Sequence, residues 1–296
     1  MAGRPWCMSE IIRAMSRERK RAQARQTLEI LERGSYRAPS GREVDLSATL
    51  RASVDGTILH RPKELAALLD LLPPVADDAP RTRVEVTTET TLEAARRLGE
   101  GDGTADPLAL NFASAKNPGG GFLNGAHVQE EGLARASGLY ATLRAAPEYY
   151  DVHRELRDPL YTDHVIYSPA VPVFRTDSGA LLDKPYSVAF LTSPAPNRGA
   201  TRDDDRLARL PDVLRRRALK VLAAAVAHGH RRIVLGAWGC GVFRNDPSEV
   251  AEAFADALRP DGGPFAGRFE TVVLAIYDTS PGAPRLAPFE RAFEGF

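Results

Sequence analysis

The chain is poor in cysteine: of its 296 residues only Cys7 and Cys240 carry a thiol. Two cysteines supply neither a disulfide framework nor a set of zinc ligands, and the reading is of an intracellular, cytoplasmic protein. Long apolar runs are also missing. No segment approaches the ~20 apolar residues of a membrane helix. The first ten residues lack the apolar core of a signal peptide, so no secretion and no membrane partner are expected. Net charge is zero, with 39 Lys and Arg against 39 Asp and Glu. That balance argues against bulk electrostatic binding to nucleic acid, so an anionic ligand has to be held by local donors. No His-Glu-x-x-His motif is present, and zinc hydrolysis has no support. Neither internal repeats nor low-complexity tracts occur. What remains is 43% hydrophobic and 26% charged, ordinary for a globular protein long enough to bury a large core.

Residues 11–33 read as a helix stopped by Gly34. Its basic residues, among them Arg17, Arg19, Lys20, Arg21 and Arg25, suit either a polyanion-binding face or a solvated one, and the solvated face is the reading adopted. Residues 71–80 are rich in Pro and Asp and form the best linker. They divide a helical extension, 1–80, from a catalytic domain, 81–296. Beyond the linker, strands and helices alternate. Strands are expected at 83–88, 108–113, 187–191, 232–235 and 271–276, with two short ones at 164–167 and 171–174 near an edge, where proline is tolerated. Helices are expected at 92–98, 129–144, 211–228 and 247–258, the last capped by Asp246. This order implies a three-layer α/β fold with a mixed sheet and helices on both faces. In such sheets ligands bind beyond the carboxyl ends of the strands.

The most informative stretch is Asn117-Pro118-Gly119-Gly120-Gly121-Phe122, followed at a short distance by Gln129-Glu130-Glu131. Three consecutive glycines allow positive φ and close approach of backbone to a ligand. Two adjacent acids then open a helix. The pattern is strand, glycine loop, helix, and backbone N–H groups in such loops bind anions. No Gly-Lys-Ser/Thr follows, which excludes a Walker phosphate loop, and Gly-Gly-Gly is not a dinucleotide fingerprint. A glycine loop beside two carboxylates suits cleavage of a glycosidic bond in a substrate held by its own phosphates.

These residues resemble the signature of poly(ADP-ribose) glycohydrolases. The flanks, from Leu110 to Pro118 and from Leu133 to Tyr140, resemble the compact bacterial branch of that family. A second block, Leu235-Gly236-Ala237-Trp238-Gly239-Cys240-Gly241-Val242-Phe243-Arg244-Asn245, resembles the family's diphosphate loop, shared with macrodomains generally. The resemblance extends more loosely from about Ser9 to the C-terminus. It implies a macrodomain-like fold with an N-terminal helical extension, activity without cofactor or metal, and poly(ADP-ribose), ADP-ribose and ADP-ribosylated proteins as partners.

The resemblance also implies roles. Glu131 is the general acid and base, and Glu130 orients the ribose. Gly119, Gly120, Gly121 and Gln129 bind substrate. Gly239, Cys240, Gly241 and Val242 cradle the diphosphate, and Phe243 packs on the terminal ribose. Neighbouring helix positions point about 100° apart, so the two acids cannot serve one atom equally. A helix N-terminus favours an ionised carboxylate, which opposes an acid's task, while burial and an arriving diphosphate favour the proton. Asn111 and Asn117 suit ribose hydroxyls and suit turn stabilisation equally well. Residues 192–197 suit an adenine wall and a plain loop equally. For Cys240, a packing role is preferred over a nucleophile, because no His adjoins it in sequence. Asp203-Asp204-Asp205 reads as a solvated run, and Tyr149 and Tyr150 read as packing aromatics.

Overall fold

The computed structural model describes residues 8–75, 81–100 and 107–296. Cys7 and the 76–80 half of the expected linker lie outside the described residues. Helix α1 (Met8–Arg33) ends at Gly34, whose φ of 75° is the left-handed turn that glycine takes without strain. Strands β1 (Ser35–Arg37) and β2 (Glu43–Asp45) pair as an antiparallel ribbon. Then come α2 (Ser47–Asp55), β3 (Ile58–His60), α3 (Pro62–Asp70), β4 (Arg83–Thr87) and α4 (Thr91–Gly99). Thr90 opens α4 with a full capping box: its hydroxyl accepts from the Glu93 N–H, and the Glu93 carboxylate accepts from the Thr90 N–H.

The chain continues with β5 (Leu108–Phe112), α5 (Gln129–Ala136), α6 (Leu139–Arg144), α7 (Pro147–Leu156), β6 (Val165–Arg175) and β7 (Leu181–Ser193). It closes with α8 (Asp204–Ala208), α9 (Leu210–Ala227), β8 (Arg232–Gly236), α10 (Pro247–Leu258), β9 (Thr271–Ala275) and α11 (Leu286–Ala292). Asp246 caps α10 by accepting from Ser248 N at 2.8 Å.

Seven strands form one mixed sheet in the order β3-β6-β7-β5-β8-β9-β4. The five from β7 to β4 run parallel, and β6 and β3 are antiparallel additions. Alternation along β5 assigns the two faces. Leu108 and Leu110 join the core beneath α9 and α10, while Ala109 joins the core beneath α4, α6 and α7. The central strands are thus buried on both sides, which is why β8 and β9 read as continuous apolar runs, while the edge strands β3 and β4 are only partly covered. The fold is a three-layer α/β sandwich.

Three local features differ from the sequence expectation. The 129–144 helix is two helices, because Ser137 is extended and bridges to Val173 of β6. Gly138 then donates to Pro172 O at 2.9 Å, and a Cβ there would lie 2.6 Å from Leu50 Cδ2. Sheet-edge pairing outweighs one more helical turn. Second, 165–175 is one strand. Its neighbour β3 pairs only with 165–167, so Pro169 and Pro172 fall where that edge has no strand beside it. Third, residues 8–75 contribute β3 to the main sheet, and α3 packs on α9.

Candidate active site

The carboxyl ends of β5, β7 and β8 lie side by side and carry loops 113–128, 194–203 and 237–246. The first glycine loop is shaped by positive φ at Gly119 (66°) and Gly120 (57°). A Cβ on Gly120 would sit 2.3 Å from Glu131 Oε1 and 3.1 Å from Glu130 Oε2. The loop therefore needs glycine here for two reasons: backbone conformation and two carboxylates pressed onto the bare Cα.

The carboxylates are anchored by backbone donors. Val128 at the N-cap of α5 has no side-chain acceptor. Glu131, in the first turn, folds back and accepts the Val128 N–H at 3.2 Å, while its other oxygen accepts the Gly121 N–H at 2.9 Å. Glu130 accepts from Ser114 N at 2.7 Å and from Asn111 Nδ2 at 3.4 Å. The anions held by this loop are thus the protein's own carboxylates.

Burial separates the two acids. Glu130 is 2% exposed and Glu131 is 7% exposed. Burial pushes the Glu130 carboxyl up to about 8, with the neighbouring charge of Glu131 adding to it and the Ser114 N–H opposing it. The shift favours the protonated form of Glu130, and a proton there needs an acceptor. Asn111 is fully buried, and its Oδ1 has no partner among the described residues. Turning that amide offers Oδ1 to a protonated Glu130, with the Thr192 hydroxyl, 3.2 Å from Nδ2, able to donate in turn.

Gln129 is spanned between elements. Its Oε1 accepts from Phe112 N at 2.8 Å, and its Nε2 donates to Leu110 O at 2.8 Å and to Thr91 Oγ1 at 3.2 Å. It ties α5 to β5 and α4. Asn117 is exposed, and its backbone closes the turn by accepting from Gly120 N at 3.0 Å.

The second loop behaves differently. Among the described residues the N–H groups of Gly239, Gly241, Val242 and Phe243 have no protein acceptor. A Cβ on Gly241 would meet no atom within 4 Å, and Val242 is 70% exposed. These four N–H groups remain available as donors. The loop is pressed against 194–197: a Cβ on Gly239 would lie 2.5 Å from both Ala195 Cβ and Asn245 Nδ2. Trp238 Nε1 donates to Ser193 O at 3.0 Å, and Asn245 Nδ2 donates to Pro196 O at 2.9 Å. Cys240 is buried beneath the loop, and burial pushes its thiol up to about 12, which leaves no thiolate at neutral pH. The half-buried Phe243 ring faces Tyr161 at 6.0 Å between centroids.

The fold thus brings Glu130, Glu131, Gly119, Gly120, Gly121, Gln129 and Asn111 together, and sets Gly239, Cys240, Gly241, Val242 and Phe243 on the adjacent loop. Sequence reasoning did not single out Ser114, Tyr161 or Arg285. Ser114 acts through its N–H, which carries no side-chain signal. Tyr161 has φ of 57°, unusual for a non-glycine residue, and no local pattern announces it. Arg285 is anchored by Asp278 and reaches the Cys240 carbonyl at 3.5 Å from another strand's loop. Asp203 caps α8 through Arg206 N at 2.8 Å. Tyr149 and Tyr150 are buried in the core beside α6.

A family model for the microbial-type PARG catalytic domain, PARG being poly(ADP-ribose) glycohydrolase, matches residues 24–176. The structure resembles the poly(ADP-ribose) glycohydrolase of Thermomonospora curvata, at 62% identity and a TM-score of 0.90, over 93% of this chain and 100% of that one. The form of that enzyme bound to the inhibitor ADP-HPD matches at 61% identity and 0.87, with the same coverage. The Deinococcus radiodurans enzyme in complex with ADP-ribose matches at 46% identity and 0.75, over 83% of this chain and 96% of that one. No curated protein sequence matches the chain. The family model spans half the sequence and the Thermomonospora structure is covered in full, so the chain belongs to the microbial-type poly(ADP-ribose) glycohydrolase family, with its macrodomain-like fold.

Proposed function

We propose that this protein hydrolyses the ribose–ribose O-glycosidic bond of poly(ADP-ribose) and releases ADP-ribose, with Glu131 as general acid and base. The observation that carries the assignment of roles is the pair of buried carboxylates bound to one glycine loop, next to a second loop with four free N–H donors. The free donors suit a diphosphate, and the ligands of the relatives, ADP-ribose and ADP-HPD, fit that chemistry.

In this scheme Glu131, protonated as the substrate's diphosphate arrives beside it, gives that proton to the departing ribose oxygen. The anomeric C–O bond breaks, and the sugar becomes oxocarbenium-like. Water adds to the anomeric carbon, and its proton returns to the Glu131 carboxylate. One water is consumed, and the acid is restored. Glu130, fixed by Ser114, hydrogen-bonds a ribose hydroxyl and holds the sugar against Gly120. Gln129 contributes by fixing α5 against β5. Asn111 acts through Glu130, and Asn117 stands at the rim. Phe243, with Tyr161 behind it, sets the angle of the ribose.

The reading includes ADP-ribosylated proteins as partners and uses no cofactor. It sets residues 1–80 as an extension packed on the 81–296 catalytic part, which it joins by the contacts of α1 with the 122–125 turn and by adding β3 to the edge of the sheet. A cytoplasmic setting is supported by the free thiol of Cys240. Among the described residues no helix is long and apolar enough to cross a membrane.

One observation favours a second assignment. Glu130 is the acid that burial keeps protonated, which suits a proton donor. The test is ADP-ribose release from purified poly(ADP-ribose) by the wild type, Glu131→Gln and Glu130→Gln, with ADP-ribose affinity measured in parallel. A collapse of release in Glu131→Gln at unchanged affinity supports the first assignment. A larger collapse in Glu130→Gln reverses the roles. Tight binding without release by the wild type makes the protein a reader, or a hydrolase of another ADP-ribosyl linkage.

A further inference from the structure

Behind α5 lies a partly enclosed pocket of about 120 Å³, formed by α1, α5 and the turn between β6 and β7. Four cations line it: Arg19, Lys20, Arg135 and Arg175. Arg135 and Arg175 are 4% and 3% exposed. Buried arginines ordinarily meet a carboxylate. Among the described residues neither of these forms an ion pair. Arg135 donates to Ala126 O at 2.8 Å and approaches His127 Nδ1 at 2.9 Å. Arg175 donates to Gly179 O at 3.0 Å, Gln26 Oε1 at 3.0 Å and Arg135 O at 3.3 Å.

Every one of those partners is neutral. Two guanidinium charges are therefore buried near each other without a counterion among the described residues. Burial pulls Arg175 down to about 10, and the Arg135 charge adds to it. Burial and then Arg135 pull Lys20 down as well. The one acid on the wall, Asp177, is hydrogen-bonded to Thr90, and burial raises its carboxyl, which weakens its claim as the missing counterion. The Glu131 charge reaches Arg135 only through space. Hydroxyls of Ser16 and Ser178 and the Gln23 amide add neutral donors to the wall. An arginine pair with lysine and hydroxyl donors around a small cavity has the chemistry of a phosphoryl site.

We propose that this pocket binds a phosphoryl anion at a second site, apart from the diphosphate loop, and that the anion is supplied by poly(ADP-ribose) itself. The second part rests on the function proposed above. The polymer is the favoured source because α1 leads from the pocket to the first glycine loop: Arg17 and Arg21 both donate to Asn124 O, at 3.0 and 3.2 Å. A polymer seated in the cleft carries further diphosphates outward, and α1 offers cations along that edge. Arg135 belongs to both places. It lines the pocket and holds Ala126 and His127 in the segment that enters α5, just before Gln129, Glu130 and Glu131.

The test uses the full chain and the double variant Arg19→Glu/Lys20→Glu. Arg19 is exposed and Lys20 half-buried, and neither makes a hydrogen bond among the described residues, so the variant should keep the fold, which a thermal melt checks; Arg135 and Arg175 are left intact because both are buried and hydrogen-bonded to the backbone. Titration with inorganic pyrophosphate should reveal two classes of site in the wild type and one, the cleft, in the variant. Equal stoichiometry and affinity in both proteins would overturn the pocket as an anion site. The second arm compares long polymer with the shortest cleavable unit. We expect KM for long polymer to rise about fivefold in the variant, with the short unit unaffected, and the salt dependence of KM to weaken by ~0.7 for each phosphate that is no longer neutralised. Abolished pyrophosphate binding with unchanged KM on both substrates rejects the polymer as the source and leaves a free phosphate or nucleotide. Absence of ADP-ribose release by the wild type, with the pyrophosphate result intact, refutes the proposed function and not the pocket.

Discussion

Replacing Gly120 by alanine probes the site at its tightest point. The added Cβ would meet Glu131 Oε1 at 2.3 Å and Glu130 Oε2 at 3.1 Å, on a backbone with φ of 57°. A left-handed alanine costs about 1–2 kcal/mol. Carbon and carboxylate oxygen cannot remain at 2.3 Å, so Glu131 has to withdraw by about 1 Å, weakening its bond to the Gly121 N–H. A displacement of about 1 Å at a reacting group costs on the order of 10²-fold in rate. Stability should fall by about 1–3 kcal/mol, roughly 2–10 °C in a protein of this size. The assay is ADP-ribose release under saturating polymer beside a thermal melt. We expect kcat to drop at least about 100-fold while the protein remains folded at the assay temperature. Wild-type kcat in Gly120→Ala would sink this account, because it would mean that the position of Glu131 against this loop does not matter.

Four other outcomes follow from the same geometry. Glu130 should leave a signature in stability against pH. Its folded-state value is raised from 4.5 to about 8, so the folded protein keeps a proton that the unfolded chain has lost between those limits. Stability is therefore lost as pH rises through that window, by up to ~1.4 kcal/mol per unit, and Glu130→Gln should flatten the slope in denaturant titrations at several pH values; parallel curves would reject it. Gly241→Ala meets no atom within 4 Å, so its melting temperature should hold while KM rises, if the Gly241 backbone approaches the diphosphate. Cys240→Ala should keep kcat, since the thiol is buried and protonated; a collapse of kcat would restore the nucleophile. Asp163→Asn removes the anion that, among the described residues, pairs with Arg216, Arg217 and Lys220 together, and should destabilise by about 3–5 kcal/mol in denaturant unfolding.

The placement of the two glycine blocks was legible because each is local. Gly119, Gly120 and Gly239 take positive φ within turns of a few residues, and only glycine makes such turns freely. The strands feeding them, 108–112 and 232–236, and the final strand 271–275 were legible for the same kind of reason: they are short apolar runs buried on both faces. Asp246, Pro211 and Gly34 marked helix ends through their own backbone chemistry. The break at Ser137 was not legible, since helical spacing continues through it; the pull comes from Pro172 and Val173 on another element. The basic residues of α1 read as a solvated face, yet Arg17 and Arg21 reach Asn124 across more than a hundred residues.

Local chemistry along the chain was therefore enough to set the α/β layering, the two loops and the acid pair, because glycine conformation, capping and apolar periodicity act over one or two turns of chain; the family followed from the resemblance of the two glycine blocks to a known signature. How those parts act on one another came from the folded arrangement. It directs the N–H groups of the first loop to the protein's own carboxylates and leaves those of the second loop free. It also buries Glu130 deeply enough to hold a proton, and sets Arg135 beside Arg175 from forty residues away. Charge states and donor availability depend on which distant surfaces exclude water from a group, and local sequence carries no record of that.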